Sequence, residues 1–204
     1  KLNFSGETED QQKAMQFLIG AFILSIFLMF VILLIQFNSF WQTIIVMSAI
    51  IFSITGVLLG LLIMQRPFGI VMSGIGIIAL AGIVVNNNII LIDTFNDFRN
   101  KGQNEMESAL RAGASRFRPV VLTSLTTSLG LIPMVFALNI NFSKREILVN
   151  SPSTQWWIEL STTIAGGLLA ATLITLLITP ALLVIPENIK RNIKKMRDKS
   201  PHLK

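Results

Sequence analysis

Apolar residues fill long blocks of this 204-residue chain, and charges collect in the breaks between the blocks. A helix that crosses a hydrocarbon core about 30 Å thick needs about 20 apolar residues. Five blocks reach that length. The first runs from Phe17 to Phe37 and the second from Phe40 to Met64, with the uncharged turn Gln36-Phe37-Asn38-Ser39 between them. Arg66-Pro67 ends the second. The third, from Phe68 to Phe95, contains Asn86-Asn87-Asn88 and Asp93. The fourth runs from Pro119 to Leu138 and is rich in Ser and Thr. The fifth runs from Trp156 to Ile185, with Pro180 near its end and Trp156-Trp157 at its start, where aromatic residues suit the headgroup level.

Between the third and fourth blocks, Met106, Ala109, Leu110 and Gly113 recur at helical spacing, with Glu105, Glu107 and Arg111 elsewhere. That pattern predicts a short helix lying on a membrane face. The fold predicted from the pattern is therefore an all-α integral membrane protein with five transmembrane helices and one short surface helix.

Composition strengthens this picture. Only 14% of residues are charged, against roughly 25% in soluble domains, because a charge near the bilayer centre costs several kcal/mol. Placement of the charge sets orientation. The loop from Arg99 to Arg118 and the tail after Glu187 together hold 12 of the 17 Lys and Arg. Both lie on one side, read as the cytoplasm. Five crossings then place the N-terminus outside and the C-terminus inside. The opening Lys1-Leu2 reads as the cut end of something longer, or as the product of processing.

The third block carries the main chemical signal. Three consecutive amides on a spanning helix need partners from other helices or from water. Asn86 and Asp93 are seven residues apart and share a face with Gly82 and Ile90, so a polar path through a bundle is one reading, and hydrogen bonding between helices is the other. In the fourth block, Thr123 and Thr127 lie one turn apart, and Pro133 should kink the outer half. Gly56-x-x-x-Gly60, with Gly166 and Gly167 in the fifth block, marks close helix packing, and Gly82 offers a further site of close approach.

Other patterns fall away. Gly74-Ile-Gly76-Ile-Ile-Ala79 has glycine spacing like a dinucleotide fingerprint but lies inside an apolar span, not at a strand-to-helix turn. Asn3 and Asn141 begin chance-level glycosylation triplets. The basic tail from Lys190 to Lys199 follows a span directly, so topology and anionic lipid account for it better than nucleic acid. With no cysteine, disulfides and thiolate metal sites are excluded, and the one histidine, His202, cannot build a ligand cluster. No nucleophile stands with a base, so no enzyme and no cofactor is expected.

Five stretches, in order, resemble the C-terminal membrane part of a resistance–nodulation–cell division (RND) efflux permease: FSGETEDQQKAMQFL (4–18), QFNSFWQ (36–42), GIVVNNNIILID (82–93), ALRAGASRFRPVVLTSLTTSLGLIPM (109–134) and GGLLAATLITLLITPAL (166–182). The Asn-Asn pattern and the Arg-x-Arg-Pro entry resemble the hydrophobe/amphiphile exporter branch. The resemblance implies the eighth to twelfth helices of a twelve-helix, proton-driven subunit in a bacterial inner membrane. Residues 1–16 would end a periplasmic region, 17–98 hold the first three spans, 99–118 the cytoplasmic loop, 119–186 the last two spans and 187–204 the basic tail.

The implied partners are the missing N-terminal half, two further copies in a trimer, a periplasmic adaptor, an outer-membrane channel and the lipid bilayer. In such permeases a carboxylate pair on the fourth helix takes the proton, facing a polar residue on the tenth helix and Arg and Thr on the eleventh. By motif position those are Asn86, Arg116 and Thr123, with Asn87 adjoining and Asp93 in support. Well-known drug exporters carry Lys at the position of Asn86. An amide rearranges hydrogen bonds but carries no charge, so coupling here would differ in detail, or the ion would. The rival expectation is an accessory or split-gene membrane subunit, or a remnant, without transport activity of its own.

Overall fold

Polar residues set the breaks between the helices of the computed structural model, which describes residues 5–141, 146–149 and 152–199. In chain order the elements are α1 (Ser5–Phe37), α2 (Phe40–Ile63), α3 (Ile70–Asn100), α4 (Glu105–Val135), β1 (Leu138–Asn141), β2 (Glu146–Val149) and α5 (Pro152–Lys199). Each of the five helices is long and apolar enough to cross a membrane.

Asn38 closes α1 in a left-handed conformation (φ 46°), which asparagine tolerates better than most residues. Ser39 then caps α2 by accepting from the Gln42 amide at 3.4 Å. Gly102 (φ 84°) turns the chain out of α3. Asn104 caps α4, accepting from the Glu105 amide at 2.9 Å. Glu105 and Glu107 occupy the first turn of α4, where the helix dipole favours negative charge. An Arg99–Glu105 ion pair of 2.5 Å fastens the end of α3 to the start of α4.

The helix expected over the 99–118 loop does form, but it does not stop there. It continues through Pro119 into the fourth span as the single helix α4. A proline removes one backbone hydrogen bond without breaking a helix held by packing on both sides: Ala109, Ala112 and Val120 are all buried. Helical structure likewise runs beyond the expected limits at Ser5 and at Lys199. The antiparallel pair β1–β2, with Leu138 opposite Val149, is a feature the hydrophobic pattern did not announce.

Helix α5 is the hub, with α2, α3 and α4 packed around it, while α1 leans on α2 and α3 at the edge. Most of α1 is bare, Phe17 and Ile35 being 75% and 77% exposed. The α2–α5 contact is made through small residues. A Cβ at Gly60 would lie 2.8 Å from the Gly166 Cα, and one at Gly56 would lie 2.5 Å from the Ala170 Cβ. A Cβ at Gly167 would collide with Leu80 and Val57. Lipid gives no hydrophobic drive to helix association, so close backbone approach supplies the dispersion energy instead. Gly82 departs from expectation. It is exposed, and nothing lies within 4 Å of the Cβ it lacks, so among the described residues no helix approaches there.

Candidate functional site

Successive residues of an α-helix point 100° apart, so the three asparagines of α3 cannot share one environment. Asn88 falls in register with Leu80, Val84 and Ile92 on the face that meets α5, and is 1% exposed. Its Oδ1 accepts a hydrogen bond of 3.0 Å from the Thr179 hydroxyl of α5. Its Nδ2 is buried without a partner among the described residues. Asn86 points to the open side of the helix and Asn87 is half-buried. Asp93 is exposed on the same side as Asn86, and Gly82 and Ile90, which complete that face, are exposed as well. The shared face expected from the seven-residue spacing therefore exists, and it is the uncovered one.

Arg116 is half-buried on α4, and its Nε donates to the Thr94 hydroxyl of α3 at 2.6 Å. Thr94 in turn donates to the Ile90 carbonyl at 2.8 Å. Arg116 is thus tethered to α3 one turn from Ile90, beside the Asn86–Asp93 face. Thr123 is exposed and donates to the Pro119 carbonyl of its own helix at 2.9 Å. Among the described residues, no hydrogen bond links Asn86, Asn87 or Asp93 to Arg116 or Thr123. The five candidates form a polar surface on α3 and α4 rather than a closed network.

Sequence reasoning missed the bonds that tie the helices together. Ser124 and Thr172 hydroxyls meet at 2.6 Å between α4 and α5. The Gln42 and Asn96 side-chain amides exchange two hydrogen bonds, of 2.7 and 3.1 Å, between α2 and α3. The Trp41 indole donates to the Leu182 carbonyl at 3.2 Å. For Asn88 a signal was present: its spacing of eight and four residues from Leu80 and Val84 puts it on the packed face. Thr179→Val is expected to lower stability by about 1–2 kcal/mol, because it leaves the buried Asn88 amide with no partner. A thermal unfolding midpoint equal to that of the wild type would contradict this.

Among the described residues, no three His, Cys, Asp or Glu lie close enough to hold a metal ion.

Residues 1–187 match the AcrB/AcrD/AcrF family. The cobalt-zinc-cadmium resistance protein CzcA of Cupriavidus metallidurans is 33% identical over 182 residues, which are 89% of this chain and 16% of that protein. The multidrug resistance protein MdtC of Erwinia tasmaniensis is 28% identical over 193 residues, 93% of this chain and 17% of its own length. A crystal structure of a heavy metal efflux pump superposes with a TM-score of 0.74 at 30% identity, covering 90% of this chain and 17% of that one. The chain thus spans about one sixth of the length of the curated relatives it matches. The family match over nearly the whole sequence, with five helices of spanning length, shows that this chain is a multi-pass inner-membrane protein of the AcrB/AcrD/AcrF family of RND permeases.

Proposed function

We propose that this chain forms the eighth to twelfth helices of a proton-driven efflux transporter. The N-terminus lies in the periplasm and the C-terminus in the cytoplasm. The uncovered polar face of α3 carries the proposal: Asn86 and Asp93 are open on a helix whose opposite face is packed. Polar and ionisable groups inside a span are expensive and face a bundle interior or a water-filled path. The remaining helices of the transporter would cover this face and bring the protonating carboxylates to it. Asn86 and Asn87 then act as the polar partners of those carboxylates. Arg116, held by Thr94, supplies fixed positive charge nearby, and Asp93 and Thr123 extend the polar surface. The working unit is a trimer with a periplasmic adaptor and an outer-membrane channel.

The Asn-Asn and Arg-x-Arg-Pro motifs support hydrophobic or amphiphilic compounds as the cargo. A second reading, divalent metal ions, is favoured by the 33% identity to a cobalt-zinc-cadmium resistance protein and by the superposition on a heavy metal efflux pump. Liposomes holding the intact assembled protein decide between them. With a proton gradient imposed, an amphiphilic dye is expected to move and zinc to stay. Zinc movement without dye movement replaces the first cargo by the second. If neither moves, both cargo readings fail and the accessory-subunit reading takes their place.

A further inference from the structure

A pocket of mixed polarity and an apolar groove meet at the end of the bundle where α1, α3 and α5 begin. The pocket, about 490 Å³, is lined by Gln11, Phe68 to Met72 and Glu159. That volume falls within the range of small-molecule sites. The Glu159 carboxylate lies against the Gly69 backbone, in the space that a Cβ at Gly69 would fill. Among the described residues it has no hydrogen bond and no ion pair, although it is half-buried. Gly69 provides no side-chain cap for α3, so the first amides of α3, at the pocket wall, lack intrahelical acceptors. One opening therefore presents a lone carboxylate beside the first turn of α3.

The apolar groove, about 220 Å³, runs inward between α1 and α3, along Met15, Leu18, Ile19 and Gly74. Phe68 and Ile70 line both spaces, so pocket and groove are continuous. Trp157, half-exposed and two residues from Glu159, is of the type that settles at headgroup depth. We propose that this crevice holds one phospholipid with a primary-amine headgroup, of the phosphatidylethanolamine kind. Glu159 binds the ammonium, and the groove receives the first part of an acyl chain. The charge order decides the occupant. A carboxylate at the rim repels an anionic headgroup, and the methyl groups of a choline remove the N–H donors the carboxylate needs.

The site is independent of transport and of which way the chain faces. The test is native mass spectrometry of the intact assembled protein, offered equal amounts of phosphatidylethanolamine, phosphatidylcholine and phosphatidylglycerol. The wild type is expected to retain phosphatidylethanolamine in preference to the other two. Glu159→Gln should cut that preference about tenfold, the scale of one charge-assisted hydrogen bond, and Glu159→Asp should restore part of it. Equal retention of the three lipids by the wild type overturns the proposal, as does an unchanged preference in Glu159→Gln. Displacement of the lipid by a transported dye also overturns it, since the crevice would then be a cargo path.

Discussion

Asn86→Ala is expected to abolish efflux by the assembled transporter while leaving its amount in the membrane unchanged. The two halves of this outcome rest on different observations. Asn86 is exposed and makes no hydrogen bond among the described residues, and changes at such positions usually fall within about 0.5 kcal/mol of neutral. Folding of the five-helix unit therefore has little stake in this side chain. The coupling proposal, in contrast, gives the amide a partner on the missing helices and a rearrangement at each proton uptake. Alanine can neither donate nor accept. Asn88→Ala is the companion variant. It removes the bond to Thr179 in the packed interior, so it acts on stability rather than coupling. Quantitative blotting of membranes alongside dye efflux separates the two. Efflux retained in Asn86→Ala would end the relay assignment.

Gly60→Leu is expected to deplete the protein from the membrane several-fold. Even a single added carbon would sit 2.8 Å from the Gly166 Cα, which is backbone and cannot turn aside. The helices must then part, and the contact between α2 and the hub helix opens along its length. Overpacking of a well-filled interior costs about 1–3 kcal/mol and sometimes more. Here the lost contacts are also the main force holding helices together in lipid. Gly20→Leu is the control. Gly20 lies on the edge helix with nothing within 4 Å of its missing Cβ, so its replacement should leave the level intact. Equal depletion by both changes would show that hydrophobic bulk, and not the α2–α5 approach, is responsible.

Much of this protein was legible before any coordinates. Hydrophobic blocks longer than the bilayer is thick leave helix as the way to satisfy the backbone, so five spans follow from lengths alone. Asn38 and Ser39, in the uncharged turn between the first two blocks, mark where one helix stops and the next starts, because their side chains serve turns and caps. The small-residue pairs of α2 and α5 announced a close crossing, since glycine in a span has few other uses. The asparagine triplet was visible as a costly group in an apolar setting, and Arg116 through the motif it shares with the RND permeases.

Tertiary structure alone decided what each of those groups touches. Periodicity gives the angle between Asn86 and Asn88 but not the position of the neighbours, and only the placement of α5 makes Asn88 the inner one and leaves Gly82 bare. The Arg116–Thr94 and Ser124–Thr172 bonds join residues on different helices, 22 and 48 positions apart, which no local pattern relates. The continuity of α4 through Pro119 was likewise settled from outside the segment. Local propensity measures what a residue costs a helix; packing on both sides of the proline decides whether the helix bears that cost.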